Sequence, residues 1–549
     1  MPDKMRVLIQ MRHTARLGAA AFAAAPTPVT DLASLSALSG VAIDASYAPI
    51  QVPNRELRQN IGIMEIGRLF AFDARPEVST YLVRGEVEDD AALERLVDAV
   101  DRDPNCVGVF ADPKISAIAV CPSGPVGTHQ DVESLLTTSQ LHLNGLNGSN
   151  VMVAVVDTGV NLAHLKSKGK EPKFDSTKSW TPVQGQIPGS MPVDHGTMCA
   201  FDICIAAPKC TLLDYALLQS RAQGGSAMDG FLSDAVTAYS KLLSILSEAG
   251  PNKPALVVNN SWGMFHPSWD FPVGHPGNYS DNPEHPFNII VESLEDAGAD
   301  ILFAAGNCGT ECPDSRCQNV TNRAIYGANS HASVLCIGGV TVNKVRLGYS
   351  SQGPGRLQSE KPDVCAYTHF TGSGVYSADS GTSAACPVAA GVVAALRTRY
   401  SPTALPPAQL RQLLKRTAED IGLAGFDYGH GHGIINVPNL VSSLNLRQVR
   451  QLAIGEIASG NLKQAGDAAM FKITVGDTLT FELDGAQGVD FDIYLRKGAE
   501  PTITAYDARG YTSSADEKIM IKPITPGDYY VMVRSYRGGG DFTLRAALG

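Results

Sequence analysis

Three short segments hold the residue types needed to break an acyl bond by covalent catalysis: Val156-Asp157-Thr158-Gly159, Asp194-His195-Gly196-Thr197 and Gly381-Thr382-Ser383-Ala384-Ala385-Cys386-Pro387. A serine hydroxyl is a weak nucleophile and needs an adjacent imidazole to take its proton. The imidazole in turn needs a carboxylate to hold it in one tautomer. One candidate for each part is present, in the order Asp157, His195, Ser383.

Such groups work only on a rigid frame. From about residue 140 onward, apolar runs alternate with helical segments: VMVAVVD ends at Asp157, TLLDYALL at Leu218, ALVVNNSWG at Gly263, ILFAAGN at Asn307 and VLCIGGV at Val340. Continuous apolar runs of this kind read as strands of a parallel sheet buried on both faces. Ligands of such sheets sit beyond the carboxyl ends of the strands. Asp157 would then end a buried strand, and His195 would open a helix. Ser383 would open the small-residue helix AACPVAAGVVAAL, where backbone N–H groups favour negative charge. Asp157-Thr158-Gly159 and Asp379-Ser380-Gly381 also imitate the paired loops of pepsin-like aspartic proteases. Those belong to an all-β fold, whereas here the motifs alternate with helices.

The order Asp, His, Ser across about residues 140–445 resembles the subtilisin-like serine proteases, the subtilases. The resemblance implies that Asp157 orients the imidazole, His195 is general base and then acid, and Ser383 forms the acyl bond. Asn307, in Ala304-Ala305-Gly306-Asn307, matches the oxyanion asparagine, and Ser261-Trp262-Gly263 matches the strand that pairs with the substrate backbone. No cofactor is implied for the chemistry, and room is left for structural calcium. Two departures stand beside the site: Met198-Cys199-Ala200-Phe201 after His-Gly-Thr, and Ala384-Ala385 after the serine. Both alter packing and bear on specificity more than on the three reactive groups. The expected function is a serine endopeptidase acting on proteins or peptides through an acyl-enzyme. The alternative is a catalytically silent subtilase scaffold that binds peptides or a partner protein.

The flanks differ in texture. Residues 1–115 read as β-α-β-β-α-β, with strands at Arg6–Met11, Tyr47–Val52, Thr80–Val87 and Val107–Phe110 and helices at Leu32–Leu38 and Asp90–Asp101. This ferredoxin-like α+β domain resembles the inhibitory propeptide of subtilases. The expectation is an intramolecular inhibitor, with processing in a Pro- and Gly-rich linker at 116–140; a permanently attached accessory domain is the alternative. Residues 141–445 are the expected catalytic domain. Residues 446–549 show short alternating strands between Gly, Asp and Pro turns, a small all-β sandwich resembling the bacterial pre-peptidase C-terminal domain. Asp490 and Asp492 there suggest calcium or, more simply, a solvated turn.

The 549 residues are 44% hydrophobic and 18% charged with a net charge of −11, which fits a multidomain globular protein and argues against nucleic-acid and anionic-membrane partners. Leu17–Ala25 is a short Ala-rich stretch after two arginines that imitates a secretion signal. The strand-like start before it, and several of the eleven cysteines in apolar runs, favour the cytoplasm, with secretion as the alternative; the C-terminal resemblance points the other way. Cys308, Cys312 and Cys317 follow Asn307 at a spacing irregular for zinc, so a local disulfide or plain thiols are expected.

Overall fold

The computed structural model describes residues 4–25, 40–53, 80–117, 124–219, 228–248, 254–444, 449–475, 479–498, 500–521 and 526–548. The chain divides into two units, one built from Met1–Leu136 with Leu146–Asn436 and the other from Thr137–Gly145 with Val437–Gly549.

In the first unit, β1 (Met5–Arg12) pairs antiparallel with β4 (Thr80–Val87) on one side and β5 (Cys106–Ala111) on the other, while β2 (Ala42–Ile43) and β3 (Ile50–Val52) lie on β4. The helix Asp90–Arg102 connects β4 to β5. Asp89 caps it by accepting the Ala92 N–H, and Leu93, Leu96 and Val100 form its buried face. The first crossover helix lies at Ala15–Phe22, where Thr14 caps it and Leu17 and Ala20 pack inward. It overlaps, at residues 17–22, the stretch Leu17–Ala25 that imitates a secretion signal in the sequence. The helix expected at 32–38 falls outside the described residues.

The second part of this unit is a seven-stranded parallel sheet. Its order is β15 (Val364–Tyr367), β14 (Leu335–Val340), β13 (Asp300–Ala304), β11 (Ala255–Asn260), β7 (Val151–Val156), β9 (Thr211–Tyr215), β8 (Lys173–Phe174). Every residue of β7, β11, β13 and β14 is buried, as continuous apolar runs require. The helices His195–Ala206 and Thr382–Arg397 are buried along their whole length, so neither shows an amphipathic stripe. This parallel α/β arrangement excludes the all-β aspartic-protease reading. Asp379 instead binds the backbone N–H and hydroxyl of Ser373, and burial raises its carboxyl to about 6.

The antiparallel sheet is fastened to the parallel part at a helix end. Asp112, just after β5, accepts the Ser233 N–H at 2.8 Å and its hydroxyl at 3.0 Å, capping the start of the helix Leu232–Glu248. Tyr47 donates to the Ser233 carbonyl at 3.0 Å, and Arg84 joins Asp44 to Asp234. Beyond Asp112 the chain enters β6 (Lys114–Ala117). It leaves its own sheet and lies antiparallel between β10 (Asp229–Phe231) and β12 (Trp262–Gly263).

The second unit holds two antiparallel-rich sheets around a core of Phe471, Phe481, Phe491, Phe542 and aliphatic neighbours. Asp490 and Asp492 lie buried within the strand Asp490–Lys497, with Tyr494 donating to Asp492, which corrects the solvated-turn expectation. Because this core is self-contained, removing residues 450–549 is expected to leave hydrolysis of small peptides largely intact. Loss of activity in a truncation whose circular dichroism stays folded would contradict that.

Candidate active site

Asp157 emerges from β7 with its side chain fully buried, and both carboxylate oxygens face His195 Nδ1, at 2.8 and 3.0 Å. His195 is the first residue of its helix, with Asp194 at the cap. The helix start can press against the end of β7 because residue 196 is glycine: a Cβ there would lie 2.6 Å from the Gly159 carbonyl oxygen. Gly196 N–H donates to Thr158 Oγ1 at 2.9 Å, closing the same contact.

With Nδ1 committed to Asp157, His195 Nε2 is buried and makes no hydrogen bond among the described residues. Burial lowers the His195 pKa, but the charge and hydrogen bond of Asp157 outweigh it, leaving the imidazole above its ordinary 6.5. Cys199, one turn on, touches both halves of the site: its Sγ is 3.7 Å from Asp157 Oδ2 and 3.6 Å from the Ser383 carbonyl oxygen. Burial, reinforced by Asp157, holds that thiol well above its usual pKa, so it stays protonated and is no nucleophile. Asp157, His195 and Cys199 form a cluster of ligand-type atoms, yet the direct Asp157–His195 hydrogen bond already satisfies the facing edges.

Ser383 stands in the first turn of Thr382–Arg397, and its hydroxyl donates to the Ser261 carbonyl at 3.3 Å. The turn before it needs Gly381 at a φ of 79°, a value that favours glycine. Pro387, four residues on, has no N–H for the Ser383 carbonyl; the Ser261 hydroxyl donates to that oxygen instead, at 2.9 Å. Asn307 turns its Oδ1 inward, where it accepts from the Thr382 N–H at 3.1 Å and hydroxyl at 3.2 Å, so its amide nitrogen points the other way. Amide nitrogens and backbone N–H groups that open a helix are donors of the kind a developing oxyanion requires.

The other predicted residues lie on or beside β12 and at the end of β13. Gly263 and Trp262 form β12, but the Trp262 indole is fully buried and packs on Phe303 and Phe287, so this residue offers only its backbone. Ala304, Ala305 and Gly306 bridge β13 to Asn307, with Asn329 Nδ2 tying the Ala304 and Trp262 carbonyls together at 2.9 Å each. Sequence reasoning missed Asn329 and the far wall, Asp229–Phe231, since neither lies in a recognisable motif. It also missed Arg316, whose segment drew attention only for its cysteines. Cys308 and Cys317 are joined as a disulfide and Cys312 carries no free thiol, so the segment is no zinc site.

The hydrogen-bonded carboxylate and imidazole at the edge of a parallel sheet, with a serine at a nearby helix start, lie inside a segment that matches a family of serine-type endopeptidases. Residues 148–433, just over half of the chain, match the subtilase family, and the protein belongs to it. Residues 467–535 match the bacterial pre-peptidase C-terminal domain. The chain is 27% identical over 505 residues to an extracellular protease of Xanthomonas campestris pv. campestris, covering 84% of this chain and 82% of that protein. It is 29% identical over 309 residues to subtilisin DY of Bacillus licheniformis, covering 55% of this chain and 95% of that one. Alkaline serine exoprotease A of Vibrio alginolyticus is 24% identical over 465 residues, 79% and 74% of the two chains. As in subtilases generally, the chemistry calls for no cofactor.

Two results are expected at this site. Asn307→Ala should lower kcat by about 10² to 10³ with little change in KM, a magnitude borrowed from the corresponding donor of subtilisin. Because only neutral imidazole accepts a proton, the acid limb of the kcat/KM profile should lie above pH 6.5. Asp157→Asn removes the charge that raises it, moving the limb down while kcat falls by roughly 10⁴, as in the analogous change of another serine protease.

Proposed function

We propose that Asp157, His195 and Ser383 act as the catalytic triad of a secreted endopeptidase made as a self-inhibited zymogen, with residues 1–115 as inhibitor, 116–140 as processing linker, 141–445 as catalytic domain and 446–549 as accessory sandwich. The observation that carries the reading is the Asp157–His195 hydrogen bond beside a serine at a helix start, in a cleft already filled by the chain's own β6.

In this reading His195 Nε2 takes the Ser383 proton as Oγ attacks the substrate carbonyl. Charge builds on the carbonyl oxygen, where Asn307 and the helix N–H groups bind it. The protonated imidazole returns its proton to the leaving amine, and the acyl-enzyme remains. Water then repeats the sequence, releasing the acid and restoring the hydroxyl.

Strand β6 supports inhibition. Ala117 lies opposite Trp262 and Ser116 opposite Gly263, so the tail runs toward Ser261, whose carbonyl receives the Ser383 hydroxyl hydrogen. A peptide added between two strand edges in this way is how an extended substrate binds. The first bond to be cut would follow Ala117, in residues outside those described. Export, rather than the cytoplasm favoured by the sequence, is supported by the Cys308–Cys317 disulfide and by the name of the Xanthomonas relative.

Full-length protein and Ser383→Ala, each incubated with a fluorophosphonate, test the reading by intact mass over time. The wild type should lose its N-terminal domain and then take up the probe, while Ser383→Ala should do neither. Probe uptake by wild type without shortening would remove the zymogen part. No uptake at all would return the scaffold alternative.

A further inference from the structure

We propose that Arg316 and Asp229 form a substrate subsite that selects a hydroxyl-bearing residue and grips the carbonyl of the residue after it. The proposal rests on reading β6 as a substrate mimic.

The disulfide-closed segment Cys308–Cys317 begins one residue after Asn307 and carries Arg316 into the cleft. The guanidinium is held before any ligand arrives. Asp314, whose side chain is 6% exposed, takes Nε at 3.0 Å and Nη2 at 2.9 Å, and the Phe265 ring lies beneath at 3.9 Å from the guanidinium carbon. The Asp314 N–H donates to the Asn307 carbonyl at 2.8 Å, so this support is anchored on the oxyanion residue itself. Nη1 is the arm left for the cleft. It reaches Ser116 Oγ at 2.7 Å and the Ala117 carbonyl at 2.6 Å.

Across the cleft, Asp229 Oδ1 accepts the Ser116 hydroxyl hydrogen, while its Oδ2 binds the Lys114 ammonium at 2.7 Å. Ser116 is fully buried and uses its hydroxyl both ways, donating to a carboxylate and accepting from a guanidinium. Alanine at that position would leave two charged groups facing an apolar methyl. A site built around a substrate hydroxyl rejects the analogue without it because its own polar groups lose their partner. Neither wall is part of the tail, so cleavage of the tail leaves Arg316 and Asp229 in the remaining chain. Substrates carrying Ser, with a basic residue two positions earlier, fit them as the tail does.

The test uses matured wild-type enzyme and two internally quenched peptides, Lys-Ile-Ser-Ala-Ile-Ala, copied from residues 114–119, and the same peptide with Ala in place of Ser. Wild type should favour the Ser peptide by at least about tenfold in kcat/KM, the worth of one hydrogen bond to a charged group. Arg316→Ala should abolish that preference mainly by raising KM, and Arg316→Lys should restore part of it. The Arg316 charge opposes protonation of His195, so Arg316→Ala should also move the acid limb to higher pH. If Arg316→Ala does not mature, Asp229→Asn gives the same reading of the Ser-to-Ala ratio. Equal rates on both peptides by a wild type that takes up fluorophosphonate would overturn the subsite and leave the protease reading standing. An unchanged ratio in Arg316→Ala or Asp229→Asn would do the same. A wild type that neither takes up the probe nor cleaves either peptide overturns both.

Discussion

A carboxylate and an imidazole, both withdrawn from water, hold each other at one edge of a parallel sheet, and much of the surrounding structure keeps that pair dry and aligned. An unpaired buried charge is costly, and the Asp157 carboxylate has the His195 imidazole as its partner. Their approach depends on the meeting of a strand end and a helix start, where Gly196 leaves no side chain between two backbones. Two fully buried helices then carry the imidazole and the hydroxyl over one sheet, and Cys199 fills the seam between them. Polar chemistry sits here on an apolar chassis in which almost no position is free to change volume.

The cleft above this pair follows a different logic. It consists of backbone edges, β10 and β12, and an unpaired edge invites another strand. In the intact chain β6 satisfies that demand. The parallel sheet brings together residues far apart in sequence, and such contacts form slowly because the loop-closure entropy comes first. An N-terminal domain that caps a helix through Asp112 and lays a strand into the cleft gives part of that surface a preformed partner to assemble against.

Much of this was legible in the sequence, for identifiable reasons. The five apolar runs named above became β7, β9, β11 with β12, β13 and β14, because burial on both faces leaves a continuous signal. Strand β15, Val-Cys-Ala-Tyr, is too short to stand out, and the two residues of β8 leave no pattern at all. Asp157, His195, Ser383 and Asn307 converge because each sits at an element end fixed by glycine or a cap. Trp262 was placed in the cleft although its ring belongs to the core; the motif specified the backbone and said nothing of where the indole turns. Arg316 and Asp229 were invisible because their meaning comes from what lies opposite, and periodicity does not record that.

Pro387 ties two of these regions together. By withholding a helical N–H from the Ser383 carbonyl, it leaves that carbonyl to the hydroxyl of Ser261, the residue that leads into β12, and to the Cys199 thiol. A helix with alanine at that position would close its own ladder and be indifferent to the strand. As built, side-chain donors, the Ser261 hydroxyl and the Cys199 thiol, take the place of a helical N–H, and the serine helix is registered against the strand that follows Ser261.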